Sequence, residues 1–156
     1  LDEERLACAD RGEAVRDVIR EELMSIAEEH GGMLRPADVV EFARDPGTAL
    51  HSKFTWDDGE AAEQYRLWQA RRVIRCSVVV IPEKQQEYKA FVSLTPDRNG
   101  ITGGYRSIRS VVSNRDLREQ LLEDAIREMK VFRRKYAQLK ELSEVFSAMD
   151  TYLAAG

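Results

Sequence analysis

The stretch Ala61-Ala62-Glu63-Gln64-Tyr65-Arg66-Leu67-Trp68-Gln69-Ala70-Arg71-Arg72-Val73-Ile74-Arg75-Cys76-Ser77-Val78-Val79-Val80-Ile81 changes its period halfway along. Ala61, Ala62, Tyr65, Leu67, Trp68, Ala70, Val73 and Ile74 recur at helical spacing up to about Arg75. From Cys76 to Ile81 the stretch is β-rich and ends in Val78-Val79-Val80-Ile81. A helix that passes straight into a strand predicts an α+β chain. Asp57 or Asp58 is the expected N-cap of this helix, with Glu60 adding negative charge in its first turn.

Upstream, Val15, Val18, Ile19, Leu23, Ile26 and Ala27 form an amphipathic stripe, predicting a helix from near Glu13 to His30. Residues 1–12 either extend it or fray from it. Gly31-Gly32 stops it, because glycine tolerates the left-handed cap conformation. A second, short helix starts at Pro36, where the missing N–H costs nothing, and buries Val39, Val40, Phe42 and Ala43. Asp45-Pro46-Gly47 ends it. Leu50, His51, Phe54 and Trp56 in the loop 48–56 are too large to leave in solvent and are expected to plug a core.

Downstream, Pro82-Glu83-Lys84-Gln85-Gln86 reads as a connector, and Tyr88, Ala90, Val92 and Leu94 alternate with polar residues, which predicts a β-hairpin. After the turn signals Pro96–Gly100 and Gly103-Gly104, residues 105–112 read as a third strand with Tyr105, Ser107, Arg109 and Val111 on one face. Ser113 or Asn114 caps the last helix, with Asp116 in its first turn. Leu122, Ala125, Met129, Phe132, Tyr136, Leu139, Leu142, Phe146, Met149 and Leu153 then step by threes and fours, close to a coiled-coil seam. A helix of roughly 38 residues would reach about 57 Å, beyond the diameter of so small a domain. Part of it must therefore find another surface: a second copy, the N-terminal helix, or itself after a hairpin break near Gln138 to Ser143. The expected architecture is three N-terminal helices, a small antiparallel sheet of two to three strands and a long C-terminal helix. The division falls at 1–112 and 113–156, and a homodimer forms through Phe132, Tyr136, Leu139, Leu142, Phe146, Met149 and Leu153.

The chain has 156 residues, 43% of them hydrophobic and 33% charged, which fits one domain or a small domain with an appended helix. No apolar run approaches the roughly 18 residues of a membrane span, so no membrane association is expected. The acidic first residues predict neither a signal nor a transit peptide. Cys8 and Cys76 lack metal-site spacing and read as free thiols of a reducing cytoplasm. The net charge of −4 is unevenly spread: residues 1–60 hold 7 basic against 16 acidic side chains, and residues 61–156 hold 17 against 12. That split of −9 and +5 points to nucleic acid on the basic part or to contact between the two parts.

The residues give little support to an enzyme. CxxC, HExxH, GxSxG and Walker patterns are absent from the sequence. His30 precedes Gly-Gly at a helix end and reads, like His51, as a structural histidine. Asp57, Asp58, Glu60 and Glu63 suit helix capping better than a divalent cation. No cofactor or metal is expected. Asn99–Arg106 could cradle a phosphate through its backbone amides but lacks the strand-to-helix context. The foremost candidates are arginines: Arg66, Arg71, Arg72 and Arg75 on the third helix, with Arg106 and Arg109 as a second surface. Arginine pairs bidentately with phosphate and reaches guanine edges. Three helices and a hairpin follow the order of a winged helix-turn-helix, although residues 45–56 are too long for its tight turn. The competing reading pairs Arg71, Arg72 and Arg75 with Glu21, Glu22, Glu28 or Glu29. Arg127, Lys130, Arg133, Arg134, Lys135 and Lys140 read as charges flanking the last helix's seam. Phe54, Trp56, Tyr65 and Trp68 read as one packed cluster, since base stacking would require them exposed.

The pattern Leu50-His51, Phe54, Trp56-Asp57-Asp58, Ala61-Ala62, Tyr65-Arg66, Ala70-Arg71, Ile74-Arg75 resembles small proteins encoded by tailed bacteriophages and prophages. The resemblance covers mainly residues 30–75, with a weaker echo in 103–112 and the last helix. It implies a phage-encoded protein acting in the bacterial host cytoplasm, and it carries over no catalytic residues. The expected function is a non-enzymatic, nucleic-acid-associated accessory protein in phage DNA metabolism or regulation. The alternative is an interaction module, an inhibitor or adaptor of a host or phage enzyme.

Overall fold

The computed structural model describes residues 13–56, 59–81, 86–98 and 103–155. Its α-helices are α1 (Glu13–Glu29), α2 (Pro36–Ala43), α3 (Glu60–Cys76), α4 (Ile108–Ser113), α5 (Arg115–Lys135) and α6 (Ser143–Ala155). Four short strands, β1 (Val78–Ile81), β2 (Gln86–Lys89), β3 (Phe91–Val92) and β4 (Arg106–Ser107), form two antiparallel two-stranded sheets, β1–β2 and β3–β4. The chain is thus mixed helix and sheet, with more helices than the three-plus-one expected.

The N-terminal helices follow their sequence signals. Gly31 and Gly32 take φ of 66° and 86°, and the Gly32 amide closes onto the Ala27 carbonyl at 2.6 Å. Pro36 opens α2, which buries Val39, Val40 and Ala43. α1 delivers Ile19, Leu23, Ile26 and Ala27 to the same core, while Val15 and Val18 at its start stay exposed. Leu67, Ala70 and Ile74 of α3 close the core from the other side. Each fully buried leucine, isoleucine or valine contributes about 1.5–3 kcal/mol of transfer free energy. The loop plug is real: Leu50 is fully buried in a 3-10 turn (Leu50–Lys53), and the Glu22 carboxylate accepts the Ala49 and Leu50 amides at 2.8 and 2.9 Å. The residue before α3 is Gly59, which offers no side-chain cap; the expected caps Asp57 and Asp58 lie outside the described residues.

The β region departs from the expected single sheet. The hairpin pairs Val78 with Lys89 and Ile81 with Gln86, but the strand changes partner at Ala90. The Ala90 amide donates to the Ser77 carbonyl, and the Ala90 carbonyl accepts the Ile108 amide at 2.8 Å. Beyond it, Phe91 pairs with Ser107 in the second sheet. The third strand expected over residues 105–112 shrinks to Arg106–Ser107. The Ser107 hydroxyl accepts the Ser110 amide at 3.2 Å and so caps α4, and Val111 is buried from a helix. A serine that can cap overrides a short alternating pattern. The Tyr105 and Leu34 backbones exchange two hydrogen bonds of 2.8 Å, tying this region to the α1–α2 turn. Gly104 sits against Met33, where an added Cβ would lie 2.3 Å from the sulfur.

The long C-terminal helix is present, in 21 residues rather than roughly 38. Asn114 caps α5 through the Leu117 amide, as expected. The long helix ends at Lys135, the Tyr136 backbone leaves helical geometry, and α6 folds back along α5. Phe132 meets Phe146 edge-on at 6.2 Å, and Arg133 pairs with Asp150 at 3.2 Å. The hairpin break is therefore the way part of the seam is covered. It buries Phe146 and Met149, two of the seven expected dimer residues, within the chain. The expected division at residue 112 falls inside α4. Asp124 of α5 accepts both the amide and the hydroxyl of Thr95, at 2.9 and 2.6 Å, and binds Arg127, so α5 is anchored to the body.

Candidate nucleic-acid interface

The six arginines expected to meet phosphate do not share one surface. Arg66 points inward: its side chain is 9% exposed, pairs with Glu63 at 3.1 Å and lies 5.6 Å from the Trp56 ring. Arg106 is held by both carboxylate oxygens of Asp97, at 2.7 and 2.9 Å, and that hydrogen bonding raises its pKa above the ordinary value. Both guanidinium groups are thus engaged by carboxylates within the fold, unlike the free phosphate contacts expected of them. Arg109 is exposed on α4, a different element from the α3 helix that carries Arg71, Arg72 and Arg75.

Arg71, Arg72 and Arg75 remain. Among the described residues none of the three pairs with a carboxylate, so the expected pairing with α1 is not found. Glu22, one of the proposed partners, caps the Leu50 turn instead. From Gln64 to Arg75 the helix carries no acidic residue. At 100° per residue, Tyr65, Trp68, Arg72 and Arg75 fall within one quarter-turn of α3, opposite Leu67, Ala70 and Ile74. The Arg75 carbonyl accepts Lys89 Nζ at 2.7 Å, which brings a further cation from β2 to the same end.

The aromatic residues split into two sets rather than one. Trp56 stacks on His51 at 5.0 Å, donates its ring N–H to the His51 carbonyl and touches Phe54, all against the core. Tyr65 and Trp68 lie outside: they are 50% and 45% exposed, with rings 5.7 Å apart and 14° from parallel. The Arg72 guanidinium lies 5.7 Å from the Trp68 ring. The result is a column, Tyr65–Trp68–Arg72, standing on the surface. The spacing of three and four residues was visible in the sequence, but its outward direction was not.

The two histidines each bond a backbone carbonyl. His30 Nδ1 meets the Ile26 carbonyl and His51 Nδ1 the Ala43 carbonyl, both at 2.8 Å. Residues 99–102 of the glycine-bearing stretch and Asp57-Asp58 lie outside the described residues. Among the described residues no group of histidine, cysteine or carboxylate side chains is placed to hold a metal ion. No described helix is long and apolar enough to cross a membrane. An open cleft of about 810 Å³ at the bend between α5 and α6 is lined by Arg133, Leu139, Lys140, Phe146 and Asp150. Two of its charges, Arg133 and Asp150, pair with each other at 3.2 Å. Cys76 is disulfide-bonded, not free; Cys8 lies outside the described residues. The free-thiol argument for a reducing compartment therefore falls, because cysteines far apart in sequence can meet only through the fold.

No family model, curated protein or solved structure matches this chain.

Proposed function

We propose that the chain is a non-enzymatic, phage-encoded accessory protein that binds nucleic acid in the host cytoplasm through the outward face of α3. The observation that carries the reading is the outer side of α3, where Arg71 and Arg72 are partly exposed and Arg75 is exposed, with no acidic residue from Gln64 onward and, among the described residues, none of the three in an ion pair. Unpaired guanidinium groups on one face attract phosphate even when the whole chain is acidic, because salt screens charges more than about 8–10 Å away. The phage origin rests on the resemblance within residues 30–75. The link between α2 and α3 contains a 3-10 turn and spans residues 44–59, so the contact is made by the side of α3 and not by a tight helix-turn-helix.

The test is binding of a duplex bearing a single-stranded tail at two salt concentrations. Affinity should fall steeply with salt, and Arg72→Glu with Arg75→Glu should weaken binding at least tenfold and flatten the salt slope by about 1–2. Thermal melting should be unchanged, because neither side chain reaches the core. Absence of binding at low salt sinks the reading.

A second reading, self-association or docking of a protein partner, is favoured by the C-terminal hairpin. Asp124 is the only buried residue of α5, while Leu122, Val131 and Phe132 on α5 and Val145 and Tyr152 on α6 are 40–52% exposed. Leu122 and Val131 lie on opposite sides of α5, but Val145 and Tyr152, seven residues apart, share one face of α6, and exposed apolar side chains on one face of a helical hairpin are what a second copy covers in a four-helix assembly. Sedimentation equilibrium should give twice the 17.9 kDa chain mass, and Val145→Glu with Tyr152→Glu should return it to one. A wild-type monomer at every concentration would count against it.

A further inference from the structure

We infer that the α3 face takes single-stranded nucleic acid in preference to duplex, with Tyr65 and Trp68 as a base-stacking platform and Arg72 and Arg75 as its phosphate contacts. The inference deepens the nucleic-acid reading and rests on it. Large aromatic side chains are normally buried, and a pair half exposed and already stacked has given up that burial. The stacked pair is complementary to another flat π-surface. In duplex DNA the base faces are covered by their neighbours and only edges and phosphates are presented, so two exposed rings gain little there. An unpaired base has a free face, and stacking on aromatic side chains is the general means by which single strands are held without sequence preference.

The placement of charge fits the same ligand. Arg72 follows Trp68 by one helical turn and Arg75 lies nearly another turn on, so the stripe from Tyr65 to Arg75 is about 15 Å long at 1.5 Å per residue. A strand laid along it meets rings first and guanidinium groups next. The column ends on Tyr65, half exposed, where a base can stack. At its other end the Arg72 guanidinium lies 5.7 Å from the Trp68 ring, which places a cation directly beside the stacked pair. Lys89 extends the positive end. Stacking needs no base-edge readout, so the expected preference is for strand state and not for sequence.

The experiment titrates the full chain with an unstructured oligothymidine and with a blunt duplex of the same length, following anisotropy and tryptophan fluorescence. The single strand should bind at least tenfold more tightly and quench the emission of Trp68, which is exposed while Trp56 is packed against His51. Trp68→Ala and Tyr65→Ala should each lower single-strand affinity about 5- to 150-fold, the range per stacked base. The weaker duplex binding should be unaffected, and Trp68→Phe should keep most of the affinity. Equal binding of both probes, or aromatic variants that bind the single strand normally while Arg72→Glu does not, overturns stacking and leaves the arginine reading intact. Failure of both probes to bind at low salt overturns the arginine reading, and this inference with it.

Discussion

Replacing Leu34 by alanine should lower the unfolding free energy by about 2–5 kcal/mol, the range for deleting a fully buried leucine side chain. Leu34 is fully buried where the α1–α2 turn meets the β3–β4 region, and it belongs to the same core as Leu23, Val39 and Ile74. Its two backbone bonds to Tyr105 survive the change, so the loss is packing and cavity and not pairing. A small domain holds only about 5–15 kcal/mol in total, so this single change removes a large share of it. Urea unfolding at neutral pH measures it. Leu122→Ala, on an exposed part of α5, is the matched control and should shift the midpoint little. Equal shifts for the two would show that Leu34 does not sit in the core as described.

The second large effect is at Asp124. Burial alone would raise its carboxyl pKa, but the Thr95 hydroxyl, the Thr95 amide and Arg127 all favour the charged form, and the net direction is downward. A folded-state pKa below the unfolded value stabilises the fold above the unfolded pKa, about 3.9 for aspartate. That contribution is lost as pH falls through the lower folded value. The attachment of α5 to the Thr95 turn should therefore weaken on acidification from about pH 4 downward. Asp124→Ala should cost about 2–4 kcal/mol at neutral pH, mostly from the Thr95 donors left without an acceptor. Arg127 and Arg98 beside it are half exposed, so their ion pairs with it are screened and add little. Asp124→Asn should flatten the acid limb between pH 5 and pH 2 relative to wild type. An unchanged acid limb in that variant would assign acid sensitivity elsewhere.

Neither Asp124 nor Glu22 was legible beforehand. Both are charged residues on helices whose patterns place them among solvated positions, and each caps a turn more than 25 residues away. Helix starts and stops were legible where one residue type carries the physics. Pro36 could only open a helix, Gly31-Gly32 could only close one, and Asn114 had a free side-chain oxygen for the next amides. Short strands were not, because the two-residue β4 yields to a serine cap and β2 yields to β3 where Ala90 changes partner.

The sequence by itself determined the helix–strand switch after Cys76, the apolar faces of α1, α2 and α3, the aromatic loop plug and the clustering of arginines on one helix. These are local: they follow from spacing, from proline and glycine geometry and from side-chain volume. Tertiary structure alone decided that Arg66 and Arg106 turn inward to carboxylates while Arg71, Arg72 and Arg75 do not. It also decided that Trp56 is packed while Tyr65 and Trp68 stand in solvent, and that the C-terminal seam folds back on itself. Helical periodicity says which residues share a face. Which face meets the core depends on neighbours brought from elsewhere in the chain, and those are set by the packing of the whole.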